Sequence, residues 1–151
     1  MPHRRTPWLT TPSHPFVLAF YSALVILGVL GVGGILNPEG MRNEFGETVT
    51  RFWALGRITA GTLALSGAVG ATISLIRRLD PRVYLWLEFI GCVLIFVMQG
   101  FYEVTVWNRF GWTGVVETQV LTTTFALAGL ARAIQLPFQV RLYKATQQRR
   151  E

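Results

Sequence analysis

Hydrophobic positions fall along this chain in four long blocks, Phe16 to Leu36, Phe52 to Ile76, Val83 to Trp107 and Val115 to Leu136, separated by short polar segments. A helix needs about 20 mostly apolar residues to cross the hydrocarbon core of a bilayer, and each block reaches that length. A soluble domain of this size hides one or two such helices in its core, not four joined by connections of 6 to 15 residues with so little polar face between them. The blocks also lack the polar–apolar alternation of a transmembrane strand, which argues against a β-barrel. The pattern predicts an all-α membrane protein, a bundle of four transmembrane helices over residues 16–36, 52–76, 83–107 and 115–136. A Pro-rich leader (1–15) precedes the bundle and a basic tail (137–151) follows it, both expected to be mobile.

Composition agrees, with 51% hydrophobic residues, 15% charged residues and a mean hydropathy of +0.40. The distribution of charge adds an orientation. Nine basic residues (Arg4, Arg5, Arg77, Arg78, Arg82, Arg141, Lys144, Arg149 and Arg150) fall in the leader, the second connection and the tail, which share one side. The first and third connections hold only Arg42, Arg51 and Arg109, diluted by Glu39, Glu44 and Glu47. Cytoplasmic loops accumulate Lys and Arg, so both termini are expected to be cytoplasmic in a multi-pass protein of the cell membrane. The net charge of +6 then reads as topology plus affinity for anionic lipids, not nucleic acid: the basic tail is short and offers only Tyr143 for stacking.

Aromatic residues mark the same boundaries. Trp53, Trp107 and Trp112 fall at the predicted outer ends and Tyr84, Trp86 and Tyr143 near the inner ones, as headgroup-level anchors. The first block follows a basic leader but exceeds the 7–15 apolar residues of a cleavable signal, so an uncleaved anchor is expected. Between the first two blocks, a short interfacial helix is expected, with Phe45, Val49 and Phe52 toward lipid and Glu44, Glu47 and Arg51 toward water.

Small residues predict how the helices meet. In the second block Gly56, Ala60, Ala64 and Ala68 recur every four residues, and Gly67 with Ala71 adds another pair. Such stripes let helices approach closely enough for dispersion contacts that lipid cannot match, which makes the second block the expected central packing helix. Gly28, Gly31 and Gly34 in the first block and Gly129 with Ala133 in the fourth extend the pattern. Intramolecular packing is the expected use of the stripe, with a second copy of the chain as the alternative.

The third block carries the most chemistry. Glu88, Cys92, Ile95, Gln99 and Glu103 follow a three-or-four spacing and share one helix face. Ionised groups inside hydrocarbon cost several kcal/mol unless they are paired or wetted. Matching depths predicts an inner pair of Glu88 with Arg132 and an outer cluster of Arg57, Glu103 and Glu117. These groups either fix the register of neighbouring helices or, with Thr122, Thr123 or Thr124, line a hydrated path for an ion, proton or small polar solute.

No phosphate-binding Gly-rich loop, HExxH, CxxC or GxSxG motif occurs, and His3 and His14 both sit in the leader. No enzyme activity, cofactor or metal site is expected. Cys92, the single cysteine, is expected to be a packing residue.

The overall layout (four spans in 151 residues, cytoplasmic termini, small-residue stripes and a charged tail ending Gln147, Gln148, Arg149, Arg150) resembles small membrane proteins of actinobacterial phages and their hosts, including holin-like ones. The resemblance is one of architecture and transfers no site residue. It implies oligomerisation in the inner membrane and lesions that release or activate a lysin. The expected function is therefore a non-enzymatic membrane protein acting by helix–helix association, holin-like or as an accessory subunit. The alternative is a small channel or transporter subunit using the polar face of the third block.

Overall fold

The computed structural model describes residues 15–35, 39–77, 79–110 and 116–148, and among these all regular structure is α-helical. Four helices follow in order: α1 (Pro15–Val32), α2 (Glu39–Ile76), α3 (Arg82–Phe110) and α4 (Val116–Gln148). Three segments are long and apolar enough to cross a membrane, Pro15–Val32, Gly46–Ile76 and Arg82–Val104. Large apolar side chains such as Ile26, Ile73, Ile90 and Val97 cover the outside, the distribution expected of a surface facing lipid.

Local chemistry sets the helix ends. α1 stops at Val32, four residues earlier than its apolar block, because Gly34 adopts a left-handed φ of 75°. Its N–H then bonds the Gly31 carbonyl (3.1 Å) and that of Ile35 bonds Leu30 (2.9 Å), a Schellman cap that satisfies carbonyls left over at the helix end. α3 begins after Asp80, whose carboxylate accepts the Arg82 N–H at 3.0 Å while Pro81 occupies a first-turn position that lacks an N–H.

A short helix does precede the second span, but it is shorter than expected. It starts at Glu39 and meets the span helix at a kink at Gly46, where φ 76° and ψ 173° are open to glycine alone. Residues 47–51 therefore belong to the span helix; there Arg51 and Glu47 form an exposed ion pair one turn apart. Phe45 and Glu44 lie outside the described side chains, while Phe52 is exposed as expected.

The expected tail also differs. α4 continues through Pro137 to Gln148 instead of ending at Leu136. Proline removes one helical hydrogen bond, but Leu136 and Val140 on either side of it are buried in the common core, and the Tyr143 hydroxyl reaches the Leu79 carbonyl at 3.4 Å. Packing thus carries the helix past a residue that would end an isolated one. Arg77, Arg82, Arg141 and Lys144 gather at this end of the molecule, while Arg42 and Arg51 sit at the opposite end.

α2 packs between α1 and α3, and α4 packs against α3. The alanines of the α2 stripe, Ala60, Ala64, Ala68 and Ala71, are all buried in the core cluster. Gly67 lies so close to the α3 backbone at Tyr84 and Glu88 that any Cβ there would collide with it, and Gly91 is pressed in the same way against Ala64. Gly61 meets α1 at Tyr21 and Val25, and Gly56 meets Met98. The small residues are consumed inside one chain, which lets α1, α2 and α3 pack closely.

Candidate functional site

The interior of the bundle holds two polar regions on one face of α3. At the first, the Glu88 carboxylate is wholly buried, and its Oε1 accepts from Arg132 Nε at 2.7 Å and from the Tyr21 hydroxyl at 3.2 Å. Cys92 Sγ lies 3.0 Å from the same hydroxyl. A phenol that donates to the carboxylate still has lone pairs for a thiol donor, so α1, α3 and α4 are tied by one connected group of four side chains. α3 contributes Glu88 and Cys92 one turn apart, α1 contributes Tyr21 at the crossing with Gly61, and α4 contributes Arg132 one turn after Gly129, which packs on the Cys92 carbonyl. The inner pair read from the sequence is present. Tyr21 had no signal in the linear pattern beyond being an aromatic residue in an apolar block, and Cys92 proves to be a polar contact as well as a packing residue.

Glu88 Oε2 is buried with no hydrogen-bond partner among the described residues. The geometry of the pair explains it: Arg132 engages side-on through Nε instead of as a two-pronged fork.

The second region lies toward the other end. Gln99 is 1% exposed, and neither its amide nitrogen nor its amide oxygen has a hydrogen-bond partner among the described residues. Threonines elsewhere solve the same problem locally: Thr50, Thr59 and Thr72 donate to carbonyls of their own helix at Gly46, Leu55 and Ala68. Arg57 Nε is likewise buried without a partner, its guanidinium lying 4.3 Å from the centre of the Trp53 ring. Trp53 in turn stacks on Tyr102 with ring centres 5.2 Å apart and donates to the Met98 carbonyl at 3.3 Å.

This arrangement corrects one expectation. Trp53 is buried between α2 and α3 and is not a headgroup anchor, because its ring has an aromatic partner, a cation and a carbonyl within the fold. Arg57, expected in an outer cluster with Glu103 and Glu117, has its guanidinium over an aromatic face, where the ring quadrupole attracts the cation. Glu103 is half-buried next to Tyr102, and the side chain of Glu117 lies outside the described residues. The side chain of Trp107 and all of Trp112 also lie outside what the structure describes, whereas Tyr84 and Trp86 are exposed near the start of α3.

Ile95 separates the two polar regions. It is buried on the same α3 face between Cys92 and Gln99, and its side chain lies within 3.3 Å of the position a Gly129 Cβ would occupy. Thr123 and Thr124 are exposed on the outside of α4 and do not face this interior, and the side chain of Thr122 lies outside the described residues. No group of three or more metal-ligating side chains occurs among the described residues. Arg57, Glu88, Gln99 and Arg132 thus all reach the bundle interior, but in two places divided by an apolar layer. In comparisons with known proteins, no family model matches this chain, and neither does any curated protein or solved structure.

Proposed function

We propose that the protein is a non-enzymatic subunit of the cell membrane that acts through helix–helix association, in a holin-like assembly or as an accessory part of a larger membrane complex. The observation that carries this reading is the use made of polar groups: the buried ion pair joins helices to one another, and Ile95 interrupts the face along which a solute would have to pass. In this reading α4 is a fourth span. The end that collects Arg77, Arg82, Arg141 and Lys144 faces the cytoplasm, placing both termini there and setting those cations against anionic headgroups. Because the α2 stripe is already filled from within, copies or partners meet through outer faces of the bundle. A phosphatase fused after Glu151 is then inactive and one inserted in the α3–α4 connection active; the reverse pattern rejects the orientation.

The test of function is inducible expression in a bacterium with membrane potential and lysis followed over time, beside Glu88→Gln and Glu103→Gln. Abrupt depolarisation after a fixed delay, insensitive to both substitutions, supports a holin-like assembly. No depolarisation, with co-purification of a host membrane complex, supports the accessory role. The second reading, a small ion, proton or solute pathway, draws support from the unpartnered polar atoms of Gln99 and Glu88. Graded leakage abolished by the carboxylate substitutions would establish it and overturn the first.

A further inference from the structure

Gln99 combines features that seldom coexist: a primary amide with donors and an acceptor, near-complete burial inside a segment apolar enough to cross a membrane, and no hydrogen-bond partner for either end among the described residues. Nothing in hydrocarbon can satisfy such a group. Arg57 Nε presents the same unmet demand nearby: Gly56 of α2 faces Met98 of α3, and because the two helices run antiparallel, Arg57 and Gln99 lie one residue to either side of that level, about 3 Å apart along the bundle axis. The neighbouring helices present small residues here. Gly129 of α4 packs on Ile95, which puts Ala126, one turn earlier on that antiparallel helix, at the Gln99 level, and Gly28 of α1 lies against Ala54 and Ile58 nearby on α2. α1 and α4 therefore offer small side chains where α3 offers a polar one.

We propose that this end of the bundle contains an internal hydration site, ordered water bonded to the Gln99 amide, with Arg57 Nε as a further donor. A buried water makes about three hydrogen bonds to otherwise unsatisfied groups. Here it donates to Gln99 Oε1 and accepts from Gln99 Nε2 and Arg57 Nε. The site is closed toward Glu88 by Ile95, and on the opposite side it is roofed by the Trp53–Tyr102 stack. The inference requires only that α3 is embedded, and stands whether the protein associates or conducts.

The experiment is nuclear magnetic resonance on the full-length protein in lipid nanodiscs, deuterated and labelled with 15N at glutamine and arginine, with the Gln99 carboxamide and the Arg57 Nε–H each assigned through its own backbone. A cross-peak between the carboxamide protons and water, with the sign of a long-lived bound molecule, is the expected result, together with exchange into D2O within hours. A carboxamide with no water cross-peak and protection lasting days shows a dry site and overturns the proposal. Gln99→Met, a near-isosteric apolar replacement, provides the second reading: the Arg57 Nε–H should lose its own water cross-peak at least several-fold, and an undiminished one assigns that water to bulk access instead.

Discussion

Glu88 and Gln99 occupy one face of α3 about three turns apart, and both are shut away from their surroundings, yet the bundle treats them differently. Glu88 is gripped by Arg132 from α4 and Tyr21 from α1, at a level where α2 and α3 touch backbone to backbone through Gly67 and Gly91. Gln99 has no partner among the described residues, at a level where Met98 fills the space beside Gly56 and aromatic rings close the end. A charge in hydrocarbon must be neutralised within its own fold, so a Glu at this depth requires an Arg close by. A neutral amide needs only hydrogen bonds, which water supplies wherever small neighbours leave it space. The first level fixes the helices; the second is left adaptable.

Four single substitutions and one double variant sharpen or break this contrast, each read as unfolding free energy in detergent titration. The largest effect is expected from Arg132→Ala, which leaves the Glu88 carboxylate buried and unpaired and should cost about 3–5 kcal/mol. Combining Arg132→Met with Glu88→Leu should recover most of that loss, and a double variant as unstable as Arg132→Ala would mean that the ion pair itself holds the fold. Next is Gly67→Leu, where a side chain must displace the α3 backbone; about 1–3 kcal/mol, or failure to fold, is expected. Near-normal stability there would disprove the close α2–α3 crossing. Gly100, where a methyl group would meet nothing within 4 Å, should behave oppositely, Gly100→Ala adding about 0.5–1 kcal/mol through helix propensity alone. The smallest change is expected from Gln99→Met, within about 0.6 kcal/mol, the typical worth of one hydrogen bond inside a membrane bundle. A loss comparable to that of Arg132→Ala would show that Gln99 has a protein partner as essential as that of Glu88.

The bundle's inner pair was legible because it depends on depth alone: Glu88 and Arg132 sit near corresponding ends of antiparallel apolar blocks, and opposite charges at equal depth in a low-dielectric medium attract. The small-residue stripe was legible for a similar reason, since a regular spacing of four lines up on one face of any helix. The stacking of Trp53 on Tyr102 was not, because linear depth carries no rotational information across helices. The α4 extension was not legible because the apolar block ends at Leu136, and the burial of Leu136 and Val140 and the Tyr143–Leu79 contact that carry the helix past Pro137 exist only once the other helices are in place.

By itself the sequence determined the helical class, three apolar segments long enough to cross a membrane, the charge asymmetry between the two ends and the face of α3 that carries polar groups. These follow from periodicity and from transfer energies summed along one helix, which need no knowledge of neighbours. Tertiary structure alone decided that the α2 stripe is filled by α1 and α3, that Tyr21 and Cys92 join the Glu88–Arg132 pair, that Trp53 is core and not anchor, and that Ile95 divides the polar interior in two. Each depends on the rotation and offset of one helix against another, fixed by close packing of side chains from distant parts of the chain.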